Sequence, residues 1–211
     1  MSSILPLFPL QLVVFPGELL NLHIFEPRYK QLIIECEKEN KSFGIPYVED
    51  NQPKLIGTEV ELIGIRKTYP DGKMDVSTRG KGLFKIQNFY KRLENRLYPG
   101  AEIDRLDTDL NGDIVLYSKI RDMIAELYIY MHIDKEPPDL NDGFTSFDIA
   151  HKVGLASQQE YELLTIRSEE LRQEYLISHL ERFIPAVKEM ENLRKKIQMN
   201  GHFKNVIPPT L

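Results

Sequence analysis

The stretch Asp107-Thr108-Asp109-Leu110-Asn111-Gly112-Asp113-Ile114 carries oxygen donors at the alternating spacing of a calcium-binding loop, with glycine at the sixth place. Two carboxylates and an amide in that order can converge on a hard cation, and the glycine permits the sharp turn between them. The twelfth place, however, is Ser118 where such a loop needs a bidentate glutamate, and no helix is read ahead of it. Without that ligand the ion loses its strongest anchor. The same residues make an acidic turn between domains, whose Asp113 favours the start of the next helix through the helix dipole. That second reading is adopted, and no metal ligand is assigned.

Other chemistry is absent for equally local reasons. The two Gly-Lys pairs, Gly72-Lys73 and Gly80-Lys81, are not followed by Ser or Thr, so neither opens a phosphate-cradling loop. No Gly-x-Ser-x-Gly occurs, and none of the five histidines stands four residues from another in a zinc-binding pair. Arg79-Gly80-Lys81-Gly82 lacks the third glycine of a dinucleotide fingerprint, because Lys85 stands there, and reads as a strand junction. No catalytic or cofactor-binding residue is assigned. His23 is read as a hydrogen-bonded histidine at a sheet edge. Cys36 is read as a small buried hydrophobe, and Glu26 with Arg28 as a structural pair. Arg194, Lys195, Lys196 and Lys204 make the C-terminal end basic, which suits the last turns of a helix.

At 211 residues, 42% of them hydrophobic, the chain can bury a substantial core. Its 27 basic and 32 acidic residues give a net charge of -5, so no global field draws it to nucleic acid or anionic lipid. One cysteine cannot form an internal disulfide, which fits a reducing compartment. The opening MSSILPLFPL has no basic region and is broken by Pro6 and Pro9, and no uncharged run is long enough to cross a membrane. A cytoplasmic protein is expected.

Period and punctuation divide the chain in two. Strands are expected at 4–8, 19–25, 43–48, 58–68, 73–79, 83–90 and 98–106, with Tyr69-Pro70-Asp71-Gly72 as a hairpin tip. Pro27 suits a first helical turn, and Tyr29, Leu32, Ile33 and Cys36 follow at helical spacing. After 107–113 the pattern turns helical. A helix is predicted over 113–132, a loop over 135–145, and a short helix from Ser146 to Gly154. A further helix is read from the capping-box spacing of Ser157 and Glu160. The longest helix begins at Ser168, with a stripe of Leu176, Leu180, Phe183, Val187, Met190, Leu193 and Ile197 that Pro185 should kink. The expected domains are 1–108, 109–200 and a tail, 201–211.

The opening, with its LPLFPL block, FPG turn and FEPRY step into a helix, resembles the N-terminal substrate-binding domain of Lon-type ATP-dependent proteases. A second block, IGTEVELIGIRKTYPDGKMDVSTRGKGLFKI, is similar to that family's next segment, and SFDIAHKVGLASQQEYELLTIRSEELRQEYLISHLERFIPAV to its helical portion, so the resemblance spans about 4–187. It implies an α+β fold: a β-rich, PUA-like pseudo-barrel followed by an α-helical C-terminal domain. It also implies handling of polypeptides. The ATPase and Ser-Lys protease modules of that family need sequence absent from these residues, so a non-enzyme is expected.

The function expected is recognition of unfolded or flexible polypeptide segments, as a substrate-binding adaptor linked to proteolysis with a separate protease or chaperone as partner. The alternative is an RNA-binding PUA-like module, against which net acidity and the lack of a basic stripe argue. A metal-dependent hydrolase would need carboxylates converging from distant positions. Apolar residues in segments read as exposed are the candidate peptide-binding set: Phe15 and Pro16 in the first turn, Tyr69 at the hairpin tip, and Phe144 and Phe147 beside the Asp-Gly loop.

Overall fold

A computed structural model describes residues 3–139 and 143–202, so most of the expected tail, 203–211, and residues 140–142 of the expected loop lie outside the described residues. The order is β1 (Ser3–Pro6), β2 (Leu19–Ile24), α1 (Pro27–Glu39), β3 (Phe43–Glu49), β4 (Gln52–Thr68), β5 (Met74–Tyr90), β6 (Gly100–Leu106), α2 (Ile114–Met131), α3 (Ser157–Thr165) and α4 (Glu169–His202). Two short 3-10 turns lie at Ser146–Asp148 and Ala150–Lys152. The chain forms two compact units: residues up to 111 together with 145–169, and 112–144 together with 170 onward. The composition change at 107–113 coincides with the first crossing between units. Residues 145–169 are helical, as their pattern predicts, but they pack with the sheet.

In the first unit the strands are antiparallel and ordered β1-β6-β5-β4-β3, with β2 paired to β5. The sheet closes on itself through the residues after β1. Leu7 and Leu10 bridge in parallel to Gly44 and Tyr47 of β3, and the Phe8 amide donates to the Gly44 carbonyl at 2.7 Å. One segment therefore pairs with β6 on one side and β3 on the other, which leaves no long open edge there. Leu5, Leu7, Phe84, Ile86, Ala101 and Ile103 fill one core cluster. Gly44 and Gly57 are the residues that let Phe84 into it. A Cβ at Gly44 would stand 2.7 Å from the Phe84 ring and 2.6 Å from Leu7, and one at Gly57 would stand 2.7 Å from Phe84.

Helix α1 covers the larger cluster. Pro27 opens it, Tyr29, Leu32, Ile33 and Cys36 are buried at the expected spacing, and Asn40 ends it in the left-handed region. The β3–β4 connection is two residues, Asp50 and Asn51, at φ 50° and 60°. Two positive φ values in succession are what a tight hairpin turn of right-handed strands requires. The strands expected at 73–79 and 83–90 are one, because β5 absorbs Gly80 and Gly82 through irregular pairing with β4 and continues unbroken.

In the second unit, Asp113 caps α2, its carboxylate accepting from the amides of Val115 (2.6 Å) and Leu116 (3.2 Å). Helices α2 and α4 run in the same direction, since Asp113 is tied to Gln173, Lys119 to Glu181 and His132 to Glu191. Of the apolar stripe, Leu176 and Leu180 are buried, whereas Met190, Leu193 and Ile197 are exposed. For Leu193 and Ile197 the reason is length: α2 ends at Met131, opposite Glu191, and α4 runs on beyond it. Helix α4 also continues unbroken through Pro185. In the first unit, α3 begins one residue earlier than its capping-box spacing suggests. Ala156 is its N-cap, and its amide donates to the Gln159 side chain at 2.9 Å.

Candidate functional site

The five sequence candidates do not form one surface. Phe15 and Phe147 come together, stacked with ring centroids 5.2 Å apart, but they are 0% and 4% exposed. This corrects the expectation that they are exposed. The turn after Val14 folds beneath residues 145–169, and the two rings form the core of that junction. Pro16, beside them, is half-buried. Tyr69 is half-buried at the β4–β5 tip, and its hydroxyl donates to Asp75 at 2.7 Å. Phe144 belongs to the second unit, edge-on to Tyr117 at 5.4 Å.

The Phe15–Phe147 contact is fastened by His151. Nδ1 of its ring lies 2.7 Å from Glu160 and Nε2 lies 3.3 Å from Glu18, with the Phe15 ring 4.9 Å away. Both ring nitrogens face carboxylates, so both must donate, and the ring is an imidazolium. Hydrogen bonding to Glu18 foremost, helped by Glu160 and opposed by burial, raises the His151 pKa to about 9. The carboxylates sit on opposite ring nitrogens and so share no common point for an ion. Among the described residues no His, Cys, Asp and Glu cluster could hold a metal. The calcium-like loop is likewise committed elsewhere, since Asp109 accepts from the backbone and side chain of Asn111, and Asp113 caps α2.

Two of the clefts on the first unit differ in how their polar groups are engaged. One, of about 400 Å³, has Ile4, Pro6 and Leu93 on its walls and Glu35, Cys36 and Arg96 within it. Its polar groups already satisfy one another: Glu35 accepts from Arg96 (2.6 Å), Tyr98 (2.6 Å) and Gln31 (2.9 Å). Burial, the largest influence, works to raise the Glu35 pKa, but donation from Tyr98, Gln31 and Arg96 together holds it below the usual carboxylate value. Burial pushes the Cys36 thiol up to about 12, which makes it a packing group and a poor nucleophile.

The other cleft, of about 590 Å³, is built from five separate stretches of chain. Pro9 and Gln11 come from the closing segment, Arg28 and Tyr29 from the first turn of α1, and Val48 from β3. Gln52 and Pro53 come from the start of β4 just after Asn51, Phe89 and Lys91 from the end of β5 and beyond, and Pro99 from just before β6. Phe89 is 38% exposed. The guanidinium of Arg28 stands 4.5 Å over the Tyr29 ring and donates to Glu26 at 2.8 Å. Tyr29 is 5% exposed, its ring tilted against Phe8 with centroids 3.9 Å apart, and its phenol pKa is raised by burial, against the lowering effect of Arg28. Its hydroxyl has no hydrogen-bond partner among the described residues, and neither do the side chains of Gln11, Asn51 and Gln52. Unlike the first cleft, this one presents polar groups that a ligand can take up. Sequence reading assigned Arg28 only its structural pairing and passed over the rest, because no local motif joins them.

The family described as the ATP-dependent protease La (LON) substrate-binding domain matches residues 4–182. Among solved structures, a Lon N-terminal domain protein from Xanthomonas campestris is 25% identical, with a TM-score of 0.62 over 83% of this chain and 98% of that one. The N-terminal domain of Mycobacterium avium complex Lon protease is 13% identical and shares the fold, with a TM-score of 0.63 over 85% of this chain and 98% of that one. No curated protein matches the chain in sequence.

Proposed function

The chain belongs to the family of ATP-dependent protease La (Lon) substrate-binding domains, and from that membership we propose that it recognises polypeptide segments without catalysing a reaction, as a substrate-binding adaptor for a separate protease or chaperone. The observation that carries the reading is the family match over 4–182, which takes in the whole closed sheet. The 590 Å³ cleft supports it, since apolar walls with unpaired amides suit a chain that offers both side chains and backbone. Pro16, Tyr69 and Phe144 remain secondary candidates for contact, being half-buried. The single free and buried Cys36 supports a cytoplasmic setting, and no helix among the described residues is long and apolar enough to cross a membrane.

RNA binding is the second reading, favoured by Arg28 and Lys91 in the same cleft. Two cations on a chain of net charge -5 supply far less than the row of phosphate contacts that nucleic acid needs. The test is a titration of reduced, alkylated lysozyme and of a polyuridine oligonucleotide onto the protein at low and moderate salt. Saturable binding of the unfolded protein with little salt dependence is expected. Binding of the oligonucleotide alone, falling steeply with salt, would replace this reading with the second.

A further inference from the structure

The 590 Å³ cleft differs from the rest of the surface in charge. The chain carries 32 acidic residues, yet none lines this cleft, where Arg28 and Lys91 are the only charged groups. Of the acids nearest in sequence, Glu26 is held by Arg28 and Glu49 by Lys54, while Asp50 stands at the tip of the β3–β4 turn. Lys91 makes no ion pair among the described residues. A cationic opening in an acidic protein selects by charge as well as by shape, because a carboxylate is attracted there and repelled elsewhere.

Two further features restrict the ligand. Pro9, Pro53 and Pro99 have no N–H, so these three positions of the rim cannot donate from the backbone, which raises the share of donors that side chains supply. Those donors are present and unused: the Tyr29 hydroxyl at the floor and the amides of Gln11, Asn51 and Gln52 at the rim. A helical ligand satisfies its own backbone and leaves them idle, whereas an extended or polyproline-like one keeps its carbonyls free to accept from them. Phe89 and Val48 offer apolar surface beside Lys91.

We propose that this cleft binds extended polypeptide segments in which apolar residues flank a carboxylate, the carboxylate meeting the unpaired Lys91, the apolar residues lying on Phe89 and Val48, and a ligand carbonyl accepting from Tyr29. The assignment rests on the reading of the chain as a polypeptide binder and names the class of segment it takes.

The experiment is a fluorescence-anisotropy titration of the full chain with rhodamine-labelled peptides of equal length. They have alternating Leu and Phe interrupted by Glu, by Lys or by Ser, and unlabelled unfolded lysozyme and polyuridine serve as competitors. The Glu peptide should bind roughly fivefold more tightly than the Lys peptide, the scale of one partly exposed charge pair gained against one repelled. Lys91→Glu should reverse that ranking. Phe89→Ser should weaken the Glu and Lys peptides alike, and Tyr29→Phe, which keeps the packed ring, should weaken the Glu peptide without lowering the melting temperature. Equal binding of the Glu and Lys peptides, or an unchanged ranking in Lys91→Glu, overturns the inference. If unfolded lysozyme still binds in that case, the polypeptide reading survives alone, and if no polypeptide binds, both fail. Tighter binding of polyuridine that displaces the Glu peptide overturns the inference in favour of phosphate recognition.

Discussion

The His151 clasp makes the stability of the first unit depend on pH in a window that few side chains reach. Folding raises its pKa from 6.5 to about 9, through hydrogen bonding to Glu18 first and Glu160 after, with burial working against them. A group raised by folding binds its proton more tightly in the native state, so its contribution is fully present below pH 6.5. That contribution shrinks as pH climbs toward 9 and is gone above it. Taken whole, that rise would correspond to about 3 kcal/mol. The ring is 39% exposed, and solvent screening reduces the expected contribution to roughly 1–2 kcal/mol. At about 2–4 °C per kcal/mol for a chain of this length, the wild type should lose about 2–8 °C more than His151→Gln between about pH 6 and about pH 9.5. The comparison within one buffer series removes every other alkaline titration common to both proteins. Lys152 adjoins the histidine in sequence, but its ammonium bonds the Asp148 carbonyl at 2.7 Å and is the same in both. Equal losses in wild type and His151→Gln would refute the imidazolium clasp. A larger loss in Glu18→Gln at low pH than at high pH would support it independently.

Phe147→Ala should cost about 3–5 kcal/mol by opening a cavity under Phe15, read as a lower urea midpoint; a change within half a degree in melting temperature would mean the ring is not packed as described. Asp113→Ala should cost about 1 kcal/mol through loss of the α2 cap, and added calcium should leave the wild-type melting temperature unmoved. Gly57→Ala should cost about 1–3 kcal/mol, because its methyl group meets Phe84 and the Ile45 carbonyl, whereas the same change at Gly82, with open space around it, should cost less. The purified 211-residue chain should neither hydrolyse ATP nor cleave casein, and turnover that follows the protein through successive columns would contradict that.

What the sequence disclosed and what it concealed divide along the range of the interaction. Helix α1 is legible because every determinant is local: Pro27 presets the first turn, the four buried residues repeat at the helical period, and Asn40 tolerates the left-handed stop. The β4–β5 tip is legible for the same reason, since Pro70-Asp71-Gly72 supplies the turn and Gly72 takes the positive φ. Exposure is not local. Phe15 lies in a Pro-Gly turn, where an aromatic residue ordinarily meets solvent, and it is Phe147, 132 positions along the chain, with His151 that covers it. Leu193 shows the converse, since it has the spacing of a core residue and is 58% exposed because the neighbouring helix stops short. The 590 Å³ cleft belongs to the same class. Pro9, Tyr29, Pro53, Phe89 and Pro99 have no common motif, and they converge because Val48 pairs with Pro53, Tyr90 with Gly100, and the segment at 7–10 closes against β3. A one-residue slip in either ladder would turn Phe89 or Val48 to the opposite face and dissolve the cleft while leaving every local signal intact. Register, which the long-range pairs determine, therefore carries the site, and chain-order patterns carry only the elements that frame it.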